Sequence, residues 1–215
     1  MKINPMKRPA LWMSACVCLL LGTVFPQTGG NRLAPENANE ARSNGLQPPD
    51  KVMDIIGLAA GMSIAEIGAG KGRYVVHLAD RVGPDGKVYA EDIDAGALQY
   101  LTERCRRGGF NNVETILGGV TDPKLPSGAL DLIFVIGSYQ HFADPVTLMR
   151  NARAALKKNG RVAIVDHFAE KDSRFDVSEK TMKAQMESAG FGFERLDTSL
   201  EATGGGEVYL FRMQK

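Results

Sequence analysis

Between Ser63 and Asp80 the chain reads SIAEIGAGKGRYVVHLAD, an apolar run that ends in three closely spaced glycines, Gly68, Gly70 and Gly72. Glycines placed this way let a backbone approach a ligand closely and reach left-handed conformations. A dinucleotide, a nucleoside triphosphate and a sulfonium nucleoside are all ligands that could lie against such a loop. A nucleoside-triphosphate loop reads G-x-x-x-x-G-K-[S/T], and this one does not. The dinucleotide fingerprint is G-x-G-x-x-G; here Arg73 occupies the place of its third glycine, which comes one residue early. Gly68-Ala69-Gly70-Lys71-Gly72, with Glu66 just before it, is a different pattern.

Further along, Asp92 ends the apolar stretch VYAEDID. It lies about 20 residues past the glycines, where a carboxylate accepts hydrogen bonds from a ribose diol. Asp92 therefore argues for an adenosyl ligand. Strand alternation puts its neighbour Glu91 on the opposite side. The run LDLIFVIGS delivers Ser138, Tyr139, Gln140 and His141 to one strand end, and RVAIVDHF delivers Asp166 and His167 to another. His141 has the side chain best suited to accept a proton near neutral pH; its alternative role is to cap or pack the helix that follows. His77, in YVVHLAD, reads as a helix-face residue. The three histidines share no metal-binding spacing, so no metal is expected.

Elements must hold these residues at one edge. Short apolar runs alternate with helical stretches from Ser63 to the C-terminal end, the signature of βαβ units in a mostly parallel sheet. The last run, EVYLFRMQ, follows its predecessor without a helix and reads as an antiparallel strand. KKNG, Lys157 to Gly160, reads as the basic, glycine-capped end of a helix. Asp50 reads as the cap of a helix that runs to a stop at Gly61. The 215 residues suit one α/β domain, and 44% apolar content suits a packed core. A net charge of +1 gives no basic excess for nucleic acid. The start differs: Lys2, Lys7 and Arg8 precede an apolar run from Ala10 to Phe25. That order is the pattern of a secretory signal peptide, and the run is short for a membrane span. If the segment is removed, Cys105 is the remaining cysteine, which excludes a disulfide framework.

The pattern E-x-G-x-G-x-G, the Asp92 strand end and the segments GPDGKVYAEDID and ALKKNGRVAIVDHF resemble the class I S-adenosylmethionine-dependent methyltransferases. The resemblance runs from about Leu46 to Phe211 and includes LGGVTDPKLP (Leu117 to Pro126) and YQHF (Tyr139 to Phe142). It is strongest to bacterial, often exported, methyltransferase-domain proteins. It implies an α/β, doubly wound, Rossmann-like and mostly parallel seven-stranded sheet, with an antiparallel C-terminal strand and helices on both faces. It implies S-adenosyl-L-methionine as methyl donor, held by Glu66, Gly68, Ala69, Gly70, Gly72, Asp92, Ile93, Val120, Thr121, Asp122 and Ser138. Glu66 would orient the loop or reach the methionyl ammonium through water, and the helix opening at Gly72 would present amides to the methionyl carboxylate. Gly119 stands where many relatives carry an Asp. His141 is the candidate base, and Tyr139 would line the methyl channel or bond the acceptor.

The expected organisation is a signal peptide or membrane anchor over 1–30, a flexible linker over 31–47 and a methyltransferase domain over 48–215. The expected partner is a small-molecule or protein methyl acceptor, with no nucleic acid and with membrane contact through the N-terminal segment alone. The alternative is an adenosyl-ligand-binding protein that keeps the fold without catalysis. Export would leave the domain outside the cytoplasm, in the periplasm; if the signal is not used, the domain is cytoplasmic.

Overall fold

The computed structural model describes residue 1, residues 31–173 and residues 177–214. The predicted signal or anchor over 1–30 lies outside the described residues, apart from Met1. Seven strands form one sheet in the order β3-β2-β1-β4-β5-β7-β6. They are β1 (Ser63–Ile67), β2 (Lys87–Asp92), β3 (Val113–Leu117), β4 (Leu130–Ile136), β5 (Leu156–Asp166), β6 (Phe191–Asp197) and β7 (Glu207–Met213). β7 is antiparallel to both its neighbours, and the remaining pairs are parallel. This is the doubly wound sheet that the alternation of elements predicts.

The helices are α1 (Ala38–Leu46), α2 (Pro49–Ile56), α3 (Val75–Val82), α4 (Ala95–Gly108), α5 (Pro145–Ala152) and α6 (Glu179–Ser188). Alternate strand residues bury against them on two faces. Ile64, Val88, Leu132 and Phe134 pack with α2, α3 and α4. Ala65, Ile133, Val135 and Ile164 pack with α5 and α6. The chain leaves β1 toward β2 and β3, then returns to the other side of β1 for β4. The carboxyl ends of β1 and β4 are thus the switch point of the sheet, where open α/β folds place their ligands.

Four local expectations are corrected. Residues 31–47 are not a linker: α1 occupies most of the segment, capped by Asn37, which accepts the Glu40 amide at 2.9 Å. Its anchorage is ionic rather than apolar. Glu40 forms a buried, forked pair with Arg104 of α4 at 2.6 and 3.2 Å. Asp50 is not a cap: Pro48 takes that position, and Asp50 lies in the first turn of α2, where an acid favours the helix dipole. α2 stops at the left-handed Gly57 (φ 69°), four residues before Gly61. KKNG does not close a helix. α5 ends at Ala152, a 3-10 turn follows over Arg153–Ala155, and Lys157–Gly160 falls inside β5 at a register shift opposite β4. Lys157 pairs there with Asp131 at 2.8 Å, and the packing of Gly160 against Leu156 and the Leu130 carbonyl leaves no room for a side chain.

Candidate functional site at the switch point

A cavity of about 360 Å³ opens at the carboxyl edge of β1, β2 and β4. That size suits a small-molecule site. Six of the residues singled out from the sequence line it: Gly68, Asp92, Ile93, Val120, Ser138 and His141. Ile93 and Val120 are large apolar side chains left 61% and 53% exposed at its rim, a cost that an apolar ligand face would relieve.

The glycine loop is built by three separate demands. Gly68 has φ +79°, and a Cβ there would meet Ser138 at 2.7 Å. Its amide and that of Ala69 donate to the Glu91 carbonyl at 2.9 and 2.8 Å, which ties the end of β1 to β2. Gly70 has φ +54° with nothing within 4 Å of a built Cβ, so it is left-handed and its outer side is open. Gly72 has φ +81°, and a Cβ would come within 2.2 Å of Leu101 in α4. The third glycine thus serves helix packing. The helix itself begins at Val75, three residues after the expected start at Gly72.

Asp92 is central. Its Oδ2 accepts the Gly70 amide at 2.7 Å and its Oδ1 accepts the Asp94 amide at 2.9 Å. A carboxylate has further lone pairs, so it can hold the loop and still accept from a ligand. Asp94 caps α4 by accepting from Gly96 and Ala97.

Glu66 lies beneath the loop rather than in the cavity wall. It is 3% exposed, and its Oε2 has no partner. Burial raises its pKa to about 8, with Asp92 adding to the rise and Arg73 and Arg104 opposing it. Ser138 donates its hydroxyl to the Ile67 carbonyl at 3.1 Å, holding the ends of β1 and β4 together.

Tyr139 is displaced from its expected role. It is 1% exposed, packs on Phe142 and Phe168, and directs its hydroxyl to Gln185 at 3.2 Å. An aromatic ring at the start of the 3-10 turn Tyr139–His141 gains more by entering the apolar layer under α6 than by facing the edge. His141, at the end of the same turn, faces the cavity and solvent. Thr121 and Asp122 are not part of the cavity lining. The Thr121 carbonyl accepts from Asn151 at 2.8 Å, and the Asp122 carboxylate accepts the Lys124 amide at 2.9 Å.

Asp166 and His167 sit at the end of β5. One Asp166 oxygen accepts the His167 amide at 2.9 Å; the other is buried without a partner, and burial raises this carboxyl above its ordinary range. The His167 ring nitrogen Nε2 meets the Gly204 carbonyl at 2.9 Å. His77 lies on a helix face against Tyr74, as its place in the sequence suggests. Among the described residues no group of three acidic, histidine or cysteine side chains could hold a metal ion.

Sequence reasoning missed Glu91. Alternation does place it on the far face from Asp92, yet Glu91 lines the same cavity, as do Ile67 and Leu148. A carboxylate in an otherwise apolar strand interior was the available signal.

The chain is similar to known proteins. A family model described as a methyltransferase domain matches residues 58–206. A nocamycin O-methyltransferase of Saccharothrix syringae is 29% identical over 115 residues, 53% of this chain and 41% of that protein. A demethylmenaquinone methyltransferase of Lactococcus lactis is 25% identical over 116 residues, 54% and 46% of the two chains. The chain thus spans less than half the length of these curated relatives. A solved S-adenosylmethionine-dependent methyltransferase from Aquifex aeolicus superimposes with a TM-score of 0.71 at 26% identity, covering 80% of this chain and 92% of that one. A structure described as the [4+2]-cyclase SpnF shares the fold at a TM-score of 0.66 and 13% identity, covering 79% and 80%.

Proposed function

Because the chain belongs to the class I S-adenosylmethionine-dependent methyltransferases, we propose that it transfers a methyl group from S-adenosylmethionine to a small organic acceptor. The observation that carries this reading is Asp92: an acid at the switch-point edge that pins a left-handed, ligand-open Gly70 and still faces the cavity. The fit is chemical as well as geometric. The donor has a ribose diol, a flat aromatic base and no phosphate. The site offers a diol acceptor in Asp92, apolar surfaces at Ile93, Val120 and Leu148, and no P-loop. When bound, the donor supplies an activated methyl group.

The chain's own residues do the rest. The glycine loop fixes the donor's position, and orienting two reactants can lower the barrier by up to about 7–11 kcal/mol. His141, exposed at the cavity, takes the proton from an acceptor O–H or N–H as the new bond forms. A small acceptor, rather than a protein side chain, is supported by the curated relatives, whose names specify nocamycin and demethylmenaquinone.

Incubating the purified chain with radiolabelled S-adenosylmethionine and a panel of phenols, hydroquinones and amines tests the reading. Labelled product and S-adenosylhomocysteine are expected together. Binding of the donor with no turnover across the panel would instead favour an adenosyl-ligand-binding protein that keeps the fold.

A further inference from the structure

Glu91 has no part in methyl transfer as proposed, yet it is a carboxyl in the cavity wall. The other polar side chains of that wall are already assigned. Asp92 holds the loop and faces the ribose position, the Ser138 hydroxyl is given to the Ile67 carbonyl, and His141 stands at the open side. The loop after β3 adds only Gly119 and Val120. The apolar part of the lining includes Ile67, Ala143 and Leu148.

The Glu91 side chain has a seat prepared for it. A Cβ at Gly118 would lie 1.7 Å from its Oε1, so the glycine at that position is what leaves the carboxyl its place. The residue is 2% exposed. Burial raises its pKa to about 7, reinforced by Asp92 and Asp122 and opposed by the Gly68 amide. A group so placed spends much of its time as the neutral acid, which carries one donor and one acceptor on the same edge. The edge of adenine that bears N1 and the 6-amino group presents one acceptor and one donor at matching spacing.

We infer that the Glu91 carboxyl reads the adenine edge of the cofactor, accepting a hydrogen bond from the 6-amino group and donating its own proton to N1. The inference rests on the cavity being the adenosyl site. It makes Gly118 part of base recognition without touching the ligand, because any larger residue there expels the carboxyl. It also gives the two neighbouring acids separate roles, with Asp92 holding the sugar and Glu91 the base.

The test is a calorimetric comparison of two probes, S-adenosylhomocysteine and its analogue whose base lacks the 6-amino group. The wild-type protein is expected to prefer the amino form by about tenfold, the range of a good side-chain pair to a base edge. Glu91→Leu should erase that preference, and Glu91→Gln, which keeps one donor and one acceptor, should retain it. A folded Glu91→Leu protein that keeps the wild-type preference, or a wild-type protein with no preference, overturns the inference and leaves the adenosyl site standing. If Glu91→Leu does not fold, Gly118→Ala decides by the same ratio: preference lost supports the inference, and preference kept overturns it. A folded wild-type protein that binds neither probe overturns the adenosyl reading and this inference with it.

Discussion

Glu66, Glu91 and Asp92 place three carboxyls around the ends of β1 and β2, and the protein manages them differently. Asp92 is satisfied by backbone amides. Glu66 is buried with an unpartnered oxygen, and its pKa stands near 8 against an ordinary 4.5. The folded state therefore holds a proton that the unfolded chain has released. Stability contributed by neutral Glu66 is full below the ordinary carboxylate range and is lost as pH rises toward 8. Glu66→Gln removes this loss, and the variant should gain on wild type by up to about 3 kcal/mol at pH 7 and by little at pH 4. Chemical denaturation across that pH range measures it; a difference independent of pH would contradict the assignment.

His141 gives a second residue-level test. With a turned-over acceptor in hand, His141→Ala should lower turnover by about 10²–10⁴-fold and leave donor affinity near wild type. An unchanged rate would make His141 structural and move the search for a base to Asp166 and His167. At this scale the sequence was a good guide to backbone placement: Gly68 and Gly70 are left-handed and Asp92 ends its strand. It was a poor guide to Tyr139, because whether an aromatic ring turns outward or inward depends on Phe142, Phe168 and Gln185, which come together only in the fold.

At the scale of elements, α1 is the part that the sequence hid. The segment is polar, with no apolar stripe to announce a helix, and its docking comes from charge. Arg104, 5% exposed, meets Glu40, 8% exposed, across 64 residues of sequence. Arg104 also donates to the Lys71 carbonyl in the glycine loop at 3.3 Å, and Arg73 donates to Gln47 at 2.9 Å. α1 is thus joined to the same loop that forms the site. Removing one partner of a buried pair strands the other, typically at about 3–5 kcal/mol. Glu40→Ala should therefore lower stability by that order and raise amide exchange over 38–46 while the β4–β5 core stays protected. Uniform loss of protection would show that α1 is not a separable unit. By contrast, the βα alternation was legible because glycine turns punctuate strands of apolar residues. KKNG misled because a glycine after two lysines serves a strand irregularity as well as a helix end.

For the whole molecule, the sheet order explains why groups from distant stretches share one edge. β1, β2 and β4 deliver Gly68, Asp92 and Ser138 to the point where the winding reverses. Among the described residues no helix is long and apolar enough to cross a membrane. From the basic-then-apolar start we propose that the chain is exported or membrane-anchored. Cell fractionation with N-terminal sequencing should then find it outside the cytoplasm, and recovery from the cytoplasm with Met1 intact would overturn that proposal. The fold alone does not decide the chemistry, since the same sheet is shared by a structure described as a cyclase.

Calorimetric titration of the purified chain with S-adenosylmethionine, alongside Asp92→Ala and a parallel titration with NADH, decides whether the switch-point edge is an adenosylmethionine site. One saturable site for S-adenosylmethionine is expected. Affinity should be at least about tenfold weaker in the folded Asp92→Ala variant, because hydrogen bonds to a charged group contribute about 1.5–3 kcal/mol each. NADH should give no saturable heat. A folded wild-type protein that does not bind S-adenosylmethionine, or an Asp92→Ala variant that binds it as tightly as wild type, would refute the assignment of this edge to the methyl donor.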